Sequence, residues 1–123
     1  MKILLVHPAA NIIENRRERK YAAHPLGLAY IAAIAEQEGH QVRIFDALIR
    51  EGYNNEKVVR PGFIRYGVSE EIIEEEIREF GPDIVGVSTV HSNRKYEIIE
   101  VTAIAKKISK DIIKRIKALS TKD

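Results

Sequence analysis

The chain has 123 residues, 45% of them apolar and 31% charged, and a net charge of +2. Such a chain fits one globular domain with one modest core, and its charge is too small to argue for nucleic acid as a partner. It has no run of ~18 apolar residues to span a membrane, and its lack of cysteine excludes disulfides, thiolate metal sites and cysteine catalysis within these residues.

Lys2-Ile3-Leu4-Leu5-Val6 is a continuous apolar run closed by His7-Pro8, which reads as a buried parallel strand. It is too short an apolar stretch for a secretory signal peptide, so the expected location is the cytoplasm. A polar stretch follows from Asn11 to Lys20, with Arg16, Arg17 and Arg19. A helix is then expected to open at His24-Pro25 and to run on through Leu26-Gly27-Leu28-Ala29-Tyr30-Ile31-Ala32-Ala33-Ile34-Ala35. Pro25 suits its first turn and Gly39 the position just past its end. Apolar nearly all round, this helix predicts packing on more than one side.

Gln41 to Asp46 is a second strand, alternating enough to lie at a sheet edge. A long connection from Ala47 to Val68 carries the turn signals Asn54-Asn55, Pro61-Gly62 and Gly67. Connections of that length are uncommon unless they serve as lids or binding loops. Tyr53, Phe63 and Tyr66, with Arg60 and Arg65, read either as a flap over a ligand or as a satellite cluster under a loop. Ser69 is placed to cap the next helix, Glu70 and Glu71 suit its first turn, and Gly81-Pro82 stops it. Its apolar face is Ile72, Ile73, Ile77 and Phe80. Asp83 to Val90 is the third strand, fit for burial on both faces. From about Asn93 a helix carries Ile98, Val101, Ile104 and Ile108, and the spacing continues through Ile112, Ile116 and Leu119. The glutamates of residues 70–79 and the lysines beyond Arg94 read as two solvated helix faces of opposite sign.

Strands alternating with helices imply an α/β fold with parallel pairing and right-handed crossovers. The expected strand order is 2-1-3, the first half of a flavodoxin-like, Rossmann-like three-layer fold. The chain then reverses direction between the first and third strands, which opens a crevice at their C-terminal ends. There stand His7, Pro8, Ser88, Thr89, His91 and Ser92, with Asp46 beside them. A ligand belongs at that end.

Several chemistries fail at the motif. No Gly-x-Gly-x-x-Gly follows a strand and no Gly-x-x-x-x-Gly-Lys-Ser/Thr is present, so dinucleotide and P-loop readings are out. A phosphoacceptor receiver needs acids after its first strand and an Asp after its third, where His7-Pro8 and Ser88-Thr89 stand instead. His40 belongs to the opposite end of the sheet; His7, His24 and His91 have no spacing that demands a metal, and none is expected. Ser88 and Thr89 read equally as hydroxyls that bond local backbone. Gly27 inside a helix costs roughly 1 kcal/mol against Ala, which points to close approach of a strand or of a ligand, packing on the sheet being the more frequent cause.

Taken in order, Lys2–Pro8, His24–Ala33, Glu38–Asp46 and Pro82–Ser88 resemble a known family. Pro25-Leu26-Gly27-Leu28-Ala29-Tyr30, followed by Gly39-His40-Gln41-Val42 and the strand-ending Asp46, is the specific part. The chain resembles the N-terminal cobalamin-binding domain of cobalamin-dependent radical S-adenosylmethionine enzymes, the group that includes the anaerobic magnesium-protoporphyrin ester cyclases. The resemblance covers roughly residues 1–109; residues 110–123 read as a basic helical tail to the same single domain.

The resemblance implies a base-off cobalamin whose nucleotide tail enters the crevice beside the first and third strands. The loop after His7-Pro8 and the Leu26-Gly27 turn would face the corrin, and Asp46 with Ser88-Thr89 would help line the tail pocket. His91 is a conceivable substitute for the lower axial histidine, whose Asp-x-His-x-x-Gly motif is missing here as is usual in the family. Relatives continue with a fourth strand ending in Gly-Gly and then a fifth, and Asp111-Ile112-Ile113 followed by Lys114-Arg115-Ile116-Lys117 fits a helix better. Without Cys-x-x-x-Cys-x-x-Cys these residues hold no iron–sulfur cluster and no radical chemistry. The expected function is therefore a cobalamin-binding module that is not catalytic alone. The alternative is a truncated flavodoxin-like fragment that binds no cofactor and acts by self-association. On either reading the third strand is an open edge, which predicts a homodimer or a second chain completing the sheet.

Overall fold

The computed structural model describes residues 1–13, 26–49, 56–88 and 95–109. In chain order the elements are β1 (Lys2–His7), β2 (Ala10–Ile13), α1 (Leu26–Gln37), β3 (Gln41–Asp46), β4 (Glu56–Arg60), β5 (Phe63–Tyr66), α2 (Glu70–Phe80), β6 (Ile84–Val87) and α3 (Lys95–Ile108). β1 lies between β3 and β6 and runs parallel to both, so the expected 2-1-3 order is the observed β3-β1-β6. Among the described residues β6 pairs with β1 alone and is an edge, as β3 is.

The apolar run of β1 feeds both faces of this sheet by simple alternation. Leu4 and Val6, with Phe45, Val85 and Val87, meet Ile73, Ile77 and Phe80 of α2 and Val101, Ile104 and Ala105 of α3. Ile3 and Leu5 meet Leu28 of α1, with Ala32, Ala35, Val42 and Ile84 packed around them. Opposite faces for α1 and for the α2–α3 pair are what right-handed crossovers require when the chain moves first one way from β1 and then the other.

α2 begins and ends as its sequence dictates. The Ser69 hydroxyl accepts from the Ile72 N–H, and Gly81, at φ 63°, donates its N–H to Ile77 O. The left-handed conformation at Gly81 is one that a side chain would resist. The reading of two solvated charged faces needs correction. Glu76 is buried and takes a 2.9 Å hydrogen bond from Arg43, whose guanidinium also lies 4.5 Å from the Phe80 ring centre. Glu74 accepts from Arg78 at 2.8 Å and from Lys107 at 3.0 Å, tying α2 to α3.

The long connection is not a bare loop. β4 and β5 form a hairpin around Pro61-Gly62, and β5 pairs antiparallel with β2 to make a second sheet, β2-β5-β4. The turn signals were visible, but a four-residue strand and an irregular partner leave too little alternation to be read as strands. Of the two readings of its aromatics, the satellite cluster holds for Tyr66, which is wholly buried with Ala10 and Leu48 and backed by Ile12. Phe63 instead stacks on Arg60, 4.0 Å away, and Tyr53 lies outside the described residues.

α1 also departs from expectation. Leu28 is its buried residue, whereas Leu26 is 65% exposed, Tyr30 72% and Ile34 62%. One stripe of the helix meets the sheet, and no other described element covers the rest. The helix expected to continue to Leu119 is described as far as Ile108, and the remainder lies outside the described residues. No described helix is long and apolar enough to cross a membrane.

Candidate functional site

The pairing register gathers three of the expected residues. His7 is the direct partner of Asp46, and Ser88 follows Val87, the partner of Val6. The Ser88 N–H extends this ladder by bonding Val6 O at 3.2 Å. Because side chains alternate along each strand, Asp46, His7 and Ser88 all lie on the face that carries α1. They form a polar row across β3, β1 and β6 at the C-terminal end of the sheet. One step below the row, on the same face, are Ile44, Leu5 and Gly86. Leu5 and Gly86 are buried, while Ile44 is 37% exposed. The floor is apolar and partly open.

His7 Nδ1 lies 3.1 Å from Asp46 Oδ1, with both side chains about one-fifth exposed (18% and 22%). The same oxygen accepts from the N–H groups of Leu48 (3.0 Å) and Ile49 (3.3 Å), so Asp46 also holds the turn that follows β3. This second duty fixes the carboxylate and thereby the histidine ring. Leu26 and Gly27 begin α1 at the same end and on the same face, and both are exposed. A Cβ on Gly27 would meet nothing within 4 Å, so the expected close packing of this glycine on the sheet is not what its backbone shows. Pro8 is buried and shapes the backbone leaving β1. Thr89, His91 and Ser92 lie outside the described residues.

On the other face of this end the hairpin docks. Val68 N–H bonds Ala47 O at 2.7 Å, and Gly67, at φ 115°, passes so near that a Cβ would stand 2.7 Å from Ala47 O and 2.8 Å from Ala9 Cβ. Only a glycine lets the hairpin dock there. Arg65, buried, donates to Glu100 at 2.6 Å and to Val68 O at 2.7 Å. Burial raises the Glu100 carboxyl above the usual glutamate range, although Arg65 opposes the shift, and the neighbouring Glu70 adds to it. A groove of about 460 Å³ between α2 and α3 takes in Glu70, Glu74, Tyr96, Glu100 and Lys107, on the face away from the row. Among the described residues no group of acids and histidines is placed to hold a metal ion.

Glu97, in the first turn of α3, is a member of this end that the sequence did not single out. It is 3% exposed, and its Oε2 accepts from Asn11 N at 3.0 Å and Asn11 Nδ2 at 2.7 Å. In the sequence it is an ordinary acid near a helix start. Its burial depends on β2, whose pairing with β5 brings Asn11 to it.

Comparison with known proteins identifies the family. A family model described as B12 binding domain matches residues 15–114. The chain is 36% identical over 117 residues to cytidylyl-2-hydroxyethylphosphonate methyltransferase of Streptomyces wedmorensis. That match takes in 94% of this chain and 21% of the relative, so the chain spans about a fifth of the relative's length. No solved structure matches. With residues 15–114, most of its length, under the family model, this chain belongs to the B12-binding domain family.

Proposed function

We propose that this chain is a single cobalamin-binding domain over residues 1–123, which holds the cofactor at the C-terminal end of its parallel sheet and has no catalytic residues of its own. The carrying observation is the row Asp46, His7 and Ser88 above the apolar floor of Ile44, Leu5 and Gly86. An apolar floor suits the flat aromatic base of the cofactor's nucleotide tail, and a polar row suits its sugar and phosphate. Asp46, Ser88 and Thr89 line the tail pocket, while the His7-Pro8 loop, Leu26 and Gly27 face the corrin. His91 and Ser92 complete the set. The exposed, unpacked Gly27 supports this, because no described residue fills the space beside it.

When bound, cobalamin supplies a carrier for methyl-group transfer, and the methyltransferase relative supports that as the reaction served. The residues here bind and orient. The radical S-adenosylmethionine machinery belongs, on this reading, to further polypeptide acting with this domain in the cytoplasm. The test is a visible-absorption titration with hydroxocobalamin, with gel filtration to see whether colour travels with protein. A shifted, co-eluting spectrum is expected, and Ser88→Leu should weaken it. A colourless protein peak at micromolar concentration would refute the proposal.

A second reading has its own observation. Among the described residues β6 is an open edge, and the outer side of α1 exposes Leu26, Tyr30 and Ile34. Both favour association, as a homodimer or with a chain that completes the sheet. Light scattering on the eluting protein tests it, and a cofactor-free dimer beside a failed titration would make self-association the function.

A further inference from the structure

The carboxylate of Glu97 is unevenly used. Oε2 takes two hydrogen bonds from Asn11, one from its backbone N–H and one from Nδ2. Oε1 is buried and, among the described residues, has no hydrogen-bond partner. A buried anionic oxygen without a donor is costly, and native structures rarely retain one unless a ligand, ion or water answers it. The two bonds from Asn11 fix the rotamer, so Oε1 holds a set direction.

Its position in the fold is equally specific. Glu97 belongs to the first turn of the helix that follows β6, and Asn11 to the strand that follows β1. The carboxylate therefore lies between the two chain segments that leave the fork of β1 and β6. It is at the same end of the sheet as the His7 row and on the opposite side, where α3 packs. We infer that Glu97 is a ligand-binding residue, whose Oε1 accepts a hydrogen bond from a primary amide on the corrin periphery of bound cobalamin. This rests on the cobalamin reading above.

Hydrogen-bond polarity decides which part of the cofactor arrives there. A carboxylate oxygen accepts from an N–H donor, and the corrin rim carries a set of such amides. Glu97 thus marks a second edge of the corrin site, apart from Asp46 and Ser88 on the tail side.

Glu97→Gln tests this. The glutamine oxygen can still accept from Asn11, which leaves its NH₂ where Oε1 was and sets donor against donor. Affinity for hydroxocobalamin should fall about tenfold to a hundredfold, while the unfolding midpoint holds or rises because a buried unpaired charge is gone. Dicyanocobinamide, which has the corrin amides and no nucleotide tail, should lose affinity by a similar factor. Asn11→Ala, which frees the carboxylate to rotate, should weaken both ligands less and serves if the glutamine variant is poorly folded. Equal affinity of wild type and both variants for cobinamide would overturn the inference and leave the cobalamin reading standing. Failure of the wild type to bind hydroxocobalamin would remove both.

Discussion

On the α2–α3 side of the sheet, Leu4, Val6, Phe45, Val85 and Val87 are covered by two helices, whereas α1 covers the opposite side with Leu28 as its buried residue. The first side is also tied by charge, through Arg43 with Glu76 and Lys107 with Glu74. The second has the His7–Asp46 contact at its end and turns Leu26, Tyr30, Ile31 and Ile34 outward. The more complete side holds the fold. The less complete one carries the His7 row and an apolar surface. Packing is thus divided unevenly between the two faces of one three-stranded sheet.

Core truncation should break or sharpen this division most. Ile77, 1% exposed within the larger cluster, should cost about 3 kcal/mol as Ile77→Ala. Leu28→Ala on the thinner side should cost nearer 2 kcal/mol or less, because its half-exposed neighbours can settle into the space. Urea unfolding measures both, and equal losses would contradict the division. Next in size is Gly67→Ala, whose new Cβ meets Ala47 O and Ala9 under a positive φ. It should cost about 2 kcal/mol, seen as a lowered denaturant midpoint. A neutral result would show that the hairpin is not held at that point.

Smaller still is a pH effect at the Arg65–Glu100 pair. Burial raises the Glu100 carboxyl above its usual value of 4.5. The folded state therefore binds the proton more tightly than the unfolded chain does. The stability that protonation contributes is complete below the unfolded value and is lost as pH rises through the folded one. Glu100→Gln removes this dependence, so wild type should lose ground to the variant from about pH 4 towards neutrality. Thermal unfolding of both proteins across that range checks it, and parallel curves would sink it. Glu74, lowered by Arg78 and Lys107, has the opposite slope and is common to both proteins.

What could be read from the sequence follows from how local each feature is. β1 and β6 are apolar runs closed by His7-Pro8 and Ser88, β3 alternates and closes at Asp46, and α2 carries its own cap and stop, so their limits lie in neighbouring residues. The row at the strand ends was legible for the same reason. β2, β4 and β5 were not, because Ala10–Ile13 becomes a strand only by pairing with Phe63–Tyr66, some fifty residues away in sequence. Glu97 was hidden with them, since its burial depends on Asn11 in β2. The outward apolar face of α1 was misread as packing, because an all-round apolar helix records that something covers it and not which chain does.

That face yields the smallest expected change in stability and the clearest in association. Tyr30 and Ile34 are one turn apart on α1, so they share a stripe that points away from the sheet. Replacing an exposed apolar residue with lysine removes little packing, and Tyr30→Lys with Ile34→Lys should move unfolding by about 0.5 kcal/mol each at most. If a second copy covers this stripe, the double variant should elute as a monomer under light scattering where wild type elutes as a dimer. If the covering surface is instead the further polypeptide of a longer enzyme, wild type will already be monomeric and the variant will differ only by being more soluble. Hydroxocobalamin binding should be unchanged in either case, because the substituted residues lie along the outside of α1 and the His7 row faces its inner end.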